Sequence, residues 1–277
     1  MVEEFTSIKP KTSLLSHVID YYYFHNVTND DKEYTVIYYP HYNTVINFYK
    51  NAEVRWNDEG RTIKSVNTKC IKCFYTSNHN VSRSVTLIGS NYKIGIVFKP
   101  LGLNHFIDCN LNKISKDVIT PFQYFGASFT ELGNKLYDET DIDKKCALLD
   151  AYFTDRYIGF KDRDFEKLIK KMVYDKSDFL VNDAAQKLEI NRKTLLRKFQ
   201  RHLLTTPSKF KVLLKFRNAL HQYDSRSKLT HIAYDSNYYD QSTFIKNYKT
   251  LVGLSPKKLF STITNIGKNS TLWTKLD

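Results

Sequence analysis

Lys193, Arg197 and Arg201 recur at i, i+4 and i+8. That spacing lines three cations along one side of a helix, opposite Leu195 and Phe199. Arg192 and Lys198 flank the stripe, and Thr194 lies within it. Farther along, Gln241, Ser242, Thr243, Lys246 and Lys249 fall at a matching phase around Phe244 and Tyr248. Arg and Lys hold phosphates and guanine edges, while Gln, Ser and Thr hydrogen-bond to base edges. One such helix is an ordinary solvated face; two at the same phase point to double-stranded DNA. The net charge of +13 agrees. Residues 1–160 carry 18 basic and 18 acidic side chains, whereas residues 161–277 carry 24 and 11, so the whole excess lies in the second part. A basic part joined to a neutral one suits a polyanion on the basic side and a separate task on the other.

The other reactive residue types do not form constellations. Cys70 and Cys73 make a CxxC, but in a strand these positions point to opposite faces, and no second CxxC or paired His follows. Cys109 and Cys146 lack the Pro-Cys-His-Arg setting of an alkyl-accepting thiol. His17, His25, His41, His79 and His105 show no ligand spacing and are read as packing or surface residues. There is no phosphate-binding glycine loop, G-x-S-x-G, HExxH or acidic metal cluster. No catalytic residue, metal or cofactor is therefore expected, and the chain is not read as an enzyme; the alternative is a DNA-repair or other enzyme with an accessory DNA-binding domain. Tyr21, Tyr22, Tyr23, Tyr38, Tyr39, Tyr42 and Tyr49 are read first as core and sheet surface, with an aromatic effector pocket as the second reading. Effector-binding residues stay unassigned. Apolar runs fall far short of the ~20 residues of a membrane span, and the opening MVEEFTSIKP is no signal peptide. Four Cys make no disulfide framework. The expectation is a cytoplasmic protein with thiol cysteines and no membrane partner.

The cations need elements to position them, and these come from an internal repeat. Ala185, Leu188, Ile190, Leu195, Phe199, Thr206, Pro207 and Phe210 recur as Ala233, Ser236, Tyr238, Phe244, Tyr248, Ser255, Pro256 and Leu259, at an offset of 48 that becomes 49. Each copy reads as a short helix, a turn and a second helix, with a small Ala at the crossing, an apolar plug in the turn and Asn191 or Asp240 as cap. Thr206-Pro207 opens a connecting helix over 208–221 that is largely apolar and reads as a buried spacer. Ser255-Pro256 opens a short final helix, and the tail from Ser261 is read as frayed. Phe165, Leu168, Ile169, Met172 and Val173 form an apolar stripe on a helix that begins the basic domain. The first hundred residues carry β-rich runs at 34–39, 44–49, 62–66, 70–76, 81–88 and 92–98, as in an antiparallel sandwich or barrel. In the last run Tyr92, Ile94, Ile96 and Phe98 share one face, with Lys93, Gly95, Val97 and Lys99 on the other. Helices around Phe129–Leu136 and Leu148–Phe153, with Asp141 or Asp143 as cap, close this domain. The fold class is α+β, divided into a β-rich domain at 1–160, a helical domain at 161–262 and a tail at 263–277.

From about Asp164 to Ser261 the chain resembles the DNA-binding domain of the AraC type transcription regulators. The residues that carry the likeness are IAYDSNYYDQSTFIKNYKTLVGLSPKKL, in which Ile232, Ala233, Tyr238, Asp240, Ser242, Phe244, Tyr248, Lys249, Gly253, Ser255 and Pro256 match or nearly match the second-unit signature. LEINRKTLLRKF stands for the first unit, and Lys215-Phe216 with Ala219 fits the linker-helix pattern. Three turn glycines are replaced, by Glu189, Leu204 and Asn237, which leaves those turns strained or differently shaped. Leu196 and Ile245 either meet thymine methyls or pack. The resemblance implies two helix-turn-helix units joined by a linker helix, reading DNA through Arg192, Lys193, Thr194, Arg197, Arg201, Gln241, Ser242, Thr243, Lys246 and Lys249. It further implies an N-terminal half, cupin-like in some members, that senses a small-molecule effector or forms a homodimer, and RNA polymerase as a further partner.

Overall fold

The computed structural model describes residues 2–28, 33–56, 60–66, 70–77, 81–115, 117–175, 179–223, 229–262, 264–265 and 272–276. Ten strands build the N-terminal part: β1 (Val2–Ile8), β2 (Ile19–Thr28), β3 (Glu33–Tyr38), β4 (Thr44–Lys50), β5 (Ala52–Trp56), β6 (Gly60–Ser65), β7 (Ile71–Thr76), β8 (Arg83–Ile88), β9 (Asn91–Phe98) and β10 (Ile119–Pro121). One sheet has the order β1-β2-β9-β4-β7-β10, and β3-β8-β6-β5 belong to a second. Every pair is antiparallel except β6 with β8, where Ile63 stands opposite Leu87. Short helices α1 (Ser13–Ser16) and α2 (Leu111–Ile114), then the longer α3 (Ala127–Asp138) and α4 (Ile142–Asp155), complete the domain. Of the two candidate caps, Asp141 is the one used: its carboxylate accepts from the Lys144 N–H at 3.1 Å.

Strand alternation explains the layering. Ile94, Ile96 and Phe98 of β9 are fully buried in one core with Phe129 and Leu136 of α3 and Leu149 and Phe153 of α4. The other face of β9, carrying Lys93 and Val97, meets the second sheet and not solvent. Between the sheets lie Val36, Val54, Ile63, Val85 and Leu87, with Tyr49 and Phe74 opposite. The first sheet is thus covered on both sides, by helices and by a sheet, which is why its central strand reads as nearly continuous apolar sequence. Gly95 sits where any Cβ would lie 2.1 Å from the Tyr23 ring, so the glycine makes room for that tyrosine between the sheets.

The helical part follows as α5 (Arg163–Tyr174), α6 (Val181–Lys187), α7 (Arg192–Leu203), α8 (Pro207–Gln222), α9 (Leu229–Asp235), α10 (Gln241–Val252) and α11 (Pro256–Thr262). Its first core gathers Phe165, Leu168, Ile169 and Met172 of α5 with Ala185, Leu195, Phe199, Phe210 and Leu214. The second gathers Leu213, Phe216 and Leu220 with Ala233, Tyr238, Phe244, Tyr248 and Leu259. Helix α8 serves both, presenting Phe210 and Leu214 to one unit and Leu213 and Phe216 to the other. The N-terminal domain contributes to each: Leu101 enters the first core and Tyr39 the second.

Two expectations need correction. Strands β1, β2, β5 and β10 escaped the pattern analysis, β2 because IDYYYFHNVT, buried on most of both faces, shows no alternation. The tail does not simply fray after Ser261. Helix α11 runs to Thr262, and the backbone continues into β11 (Thr264–Asn265) and β12 (Leu272–Leu276), which pairs antiparallel with β3, Thr274 opposite Ile37. An uncovered edge strand exposes a row of backbone donors and acceptors, and the chain's own C-terminal segment meets that need.

Candidate nucleic-acid interface

The two repeats fold alike down to individual hydrogen bonds. In the first, the Ile190 N–H donates to the Ala185 carbonyl at 3.1 Å; in the second, the Tyr238 N–H donates to the Ala233 carbonyl at 3.0 Å. Asn191 caps α7 by accepting from the Thr194 N–H at 2.9 Å, and Asp240 caps α10 by accepting from the Thr243 N–H at 2.7 Å. Thr206 and Ser255 cap the following helices through the Lys209 and Lys258 N–H groups, at 3.3 and 3.4 Å. The positions without glycine keep the left-handed backbone: Glu189 has φ 52°, Leu204 φ 54° and Asn237 φ 62°, while Gly253 ends α10 at φ 72°. The turns are therefore strained and not reshaped, at a cost of roughly 1–2 kcal/mol for a residue with a full side chain. Asn237 tolerates this conformation best, and its carbonyl accepts from the Lys215 ammonium of α8.

With the turns fixed, the outward faces are defined. Arg192, Lys193, Arg197 and Arg201 are exposed on α7, and Thr194 is half-buried with its hydroxyl accepting from Arg197 at 3.2 Å. On α10, Gln241, Ser242, Thr243, Lys246 and Lys249 are all exposed, and the Thr243 hydroxyl donates to Asp240 at 3.0 Å. Lys198 is different: it is half-buried and pairs with Asp162, the cap of α5, so it braces α7 against α5. Ile245 is half-buried and packs against the second core. Sequence reasoning passed over Tyr239 and Tyr234, 99% and 81% exposed in the second unit. The available signal was position, since Tyr239 falls between the buried plug Tyr238 and the cap Asp240 and has no core to enter.

The face is held in place by the N-terminal domain. The Asn104 amide donates to the carbonyl of His202 in α7 at 3.0 Å, and the His202 ring meets Phe160 edge-on. Ser82 donates its N–H to the Leu251 carbonyl in α10 at 2.7 Å. His105 contacts Glu166 of α5 at 3.3 Å; burial holds the imidazole down, to about 4, despite the carboxylate beside it.

The tyrosine cluster divides. Tyr21, Tyr23, Tyr38, Tyr39 and Tyr49 line a cavity between the sheets together with His41, Arg61 and Lys93. Tyr22 faces the helices and donates to Asp150 at 2.8 Å, and Tyr42 lines a cleft between the domains. His25 pairs with Glu3 at 2.7 Å, while His17 lines that same cleft; His79 falls outside the described residues. Burial pushes the Cys73 thiol up to about 12 and Cys146 to about 11, which keeps both protonated and poorly nucleophilic. Among the described residues no group of three His, Cys, Asp or Glu is placed to hold a metal, and no helix is long and apolar enough to cross a membrane.

Residues 184–262 match the family described as helix-turn-helix domain. No curated protein matches the chain. Among solved structures it is similar to apo ToxT of Vibrio cholerae, a lysine-to-alanine variant, at 12% identity and TM-score 0.46 over 92% of this chain and 99% of that one. It is similar also to unsaturated fatty acid bound wild-type ToxT, at 12% and 0.46 over 88% and 96%, and to a further ToxT structure at 13% and 0.43 over 86% and 97%. Identity this low carries neither a ligand nor a mechanism across. The matched residues coincide with the two capped and phased units just described, so residues 184–262 form a helix-turn-helix domain of the AraC type.

Proposed function

We propose that the chain reads a specific DNA sequence with two recognition helices, α7 and α10, placed in successive major grooves, and that residues 1–160 set its activity. In this reading 161–262 is the DNA-binding domain and 263–277 a tail. The observation that carries it is the duplicated geometry: two second helices, each capped by Asn or Asp, one burying Leu195 and Phe199 and the other Phe244 and Tyr248 at matching positions, and each turning Arg, Lys, Gln, Ser or Thr outward. The joining helix α8 has 16 residues, about 24 Å at ~1.5 Å per residue, and with the flanking side chains this suits a separation of one DNA turn, ~34 Å. Arg192, Lys193, Thr194, Arg197 and Arg201 serve one half-site; Gln241, Ser242, Thr243, Lys246 and Lys249 serve the other. A second copy of the chain and RNA polymerase are the protein partners this function calls for, and a small-molecule effector in the β-rich domain is the means of control.

The test is a base-by-base substitution profile of the bound site for two variants. Arg197→Ala relaxes preference in one half of the site, by ~1–3 kcal/mol if it reads a base, and Gln241→Ala acts about 10 base pairs away. If both variants perturb the same bases, or neither alters preference, the two-groove reading fails.

A further inference from the structure

The two repeats differ in length by one residue, and the difference falls at a single place. Up to the plug the copies keep an offset of 48, Ala185 and Ile190 corresponding to Ala233 and Tyr238 through the same backbone hydrogen bond. From the cap onward the offset is 49, with Asn191 corresponding to Asp240, Leu195 to Phe244 and Phe199 to Tyr248. Tyr239 is therefore the extra residue, inserted between plug and cap. Its side chain is 99% exposed, and Asp240, Gln241, Ser242 and Thr243 beside it are exposed as well. A lone aromatic on a surface is ordinary. This one is set apart by standing at the start of a recognition helix, where a tyrosine supplies both apolar area and a polar tip.

The recognition helices also differ in where their cations stand. Helix α7 opens with Arg192 and Lys193, both exposed, whereas α10 opens with Gln241, Ser242 and Thr243 and has no cation before Lys246. The one charged group at the start of α10, the Asp240 carboxylate, is turned back onto the Thr243 N–H and hydroxyl. In helix-turn-helix docking the N-terminal residues of the second helix enter the groove between its flanking phosphates. The first unit holds phosphates there by charge, and the second has only neutral groups to offer. Most protein–DNA hydrogen bonds go to phosphate and sugar, and the Tyr hydroxyl is among the donors. We infer that Tyr239 is the neutral phosphate anchor of the second unit. Its hydroxyl donates to a phosphate oxygen at the edge of the groove that α10 enters, and its ring packs on the adjoining sugar. It positions α10 without reading a base. This role rests on the two-groove reading above and adds to it a contact of a different physical kind.

The experiment uses the full chain and a duplex that it selects from a random pool, together with copies of that duplex in which one phosphate at a time is replaced by an uncharged methylphosphonate. Tyr239→Phe removes the hydroxyl alone, and Tyr239→Ala removes the ring as well. A side chain this exposed is changed without disturbing the core, so both variants are expected to melt with the parent. Tyr239→Phe is expected to weaken binding roughly threefold to tenfold, as the loss of one hydrogen bond does, and Tyr239→Ala to weaken it further. The base profile and the slope of log K against log salt should both stay unchanged, because no charge is lost. The difference between parent and Tyr239→Phe is expected to shrink on one methylphosphonate duplex, substituted in the half-site that Gln241→Ala perturbs. Parent-like binding by both variants, a changed salt slope, a changed base profile, or a loss indifferent to every phosphate substitution would overturn the inference while leaving the regulator reading intact. A loss of self-association in place of DNA affinity would assign Tyr239 to a second copy of the chain and overturn it too. A parent chain that selects no duplex would refute the regulator reading, and this role with it.

Discussion

Lys93 shows how strongly position outweighs residue type. On β9 it alternates with apolar residues and would pass for a solvent-facing lysine, but the second sheet covers it. Burial, assisted by Arg61 and opposed by Glu3, lowers its ammonium pKa to about 7 from 10.5; the facing Tyr38 contributes a hydroxyl, and Tyr23 and Tyr38 their ring faces. The unfolded chain thus binds more protons than the folded one between pH 7 and 10.5, and stability rises with pH through that window. Lys93→Met is expected to be more stable than the parent at pH 6 and to lose that advantage toward pH 10, which urea midpoints at pH 6, 8 and 9.5 will measure. An unchanged difference across that range would mean Lys93 titrates normally. Glu189 offers a second test. Its side chain is exposed and its φ is 52°, so Glu189→Gly removes strain with no loss of packing and is expected to stabilise by about 1 kcal/mol, read as a shift in urea midpoint. Leu204→Gly would not show this cleanly, because Leu204 also packs against the N-terminal core.

At the scale of elements, the caps decide whether the recognition helices begin where the basic stripe needs them. Asn191→Ala deletes the hydrogen bond to the Thr194 N–H and is expected to cost about 1 kcal/mol of stability while lowering DNA affinity through α7. Lys249→Ala should behave differently. Lys249 lies in the last turn of α10, away from its N-terminus, and a phosphate contact there weakens all sequences alike. Its loss is expected to reduce the slope of log K against log salt by about one and leave the base profile unchanged; a shifted profile would make Lys249 a base reader.

At the scale of the whole molecule, the DNA-binding part is not a tethered appendage. Tyr39 and Leu101 fill its two cores, Ser82 and Asn104 hold α10 and α7, and β12 returns to β3. The intact chain is accordingly expected to unfold in one cooperative transition, by calorimetry and tryptophan fluorescence alike. The isolated 161–277 fragment, which carries all the net charge, should bind DNA with a steep salt dependence but melt below the intact chain. Two separated transitions in the intact chain would refute the docking, and better duplex binding by 1–160 would refute the division of labour.

The sequence by itself determined the helical domain. A glycine-free stretch with a repeated Ala, plug and anchor pattern specifies local geometry, since the capping, the 3.6-residue period and the crossing alanines act over a few residues. The exposure of nine of the ten positions named on α7 and α10 was legible for the same reason, Thr194 being half-buried: once Leu195, Phe199, Phe244 and Tyr248 face inward, the exposed faces follow from helical phase. Asn237, Glu189 and Leu204 could be named as departures, but whether they would keep the left-handed turn depended on the packing of both helices around them. The β-rich half was legible only where one face is apolar and the other polar. Strand β2, buried on most of both faces, gave no period, and the tyrosines could not be divided between core and cavity, because a strand's pattern does not state what covers each face. Arg217 reads as one more polar residue of a linker helix. Only the tertiary structure brings it, from a position far along the chain, to Arg61 and Lys93.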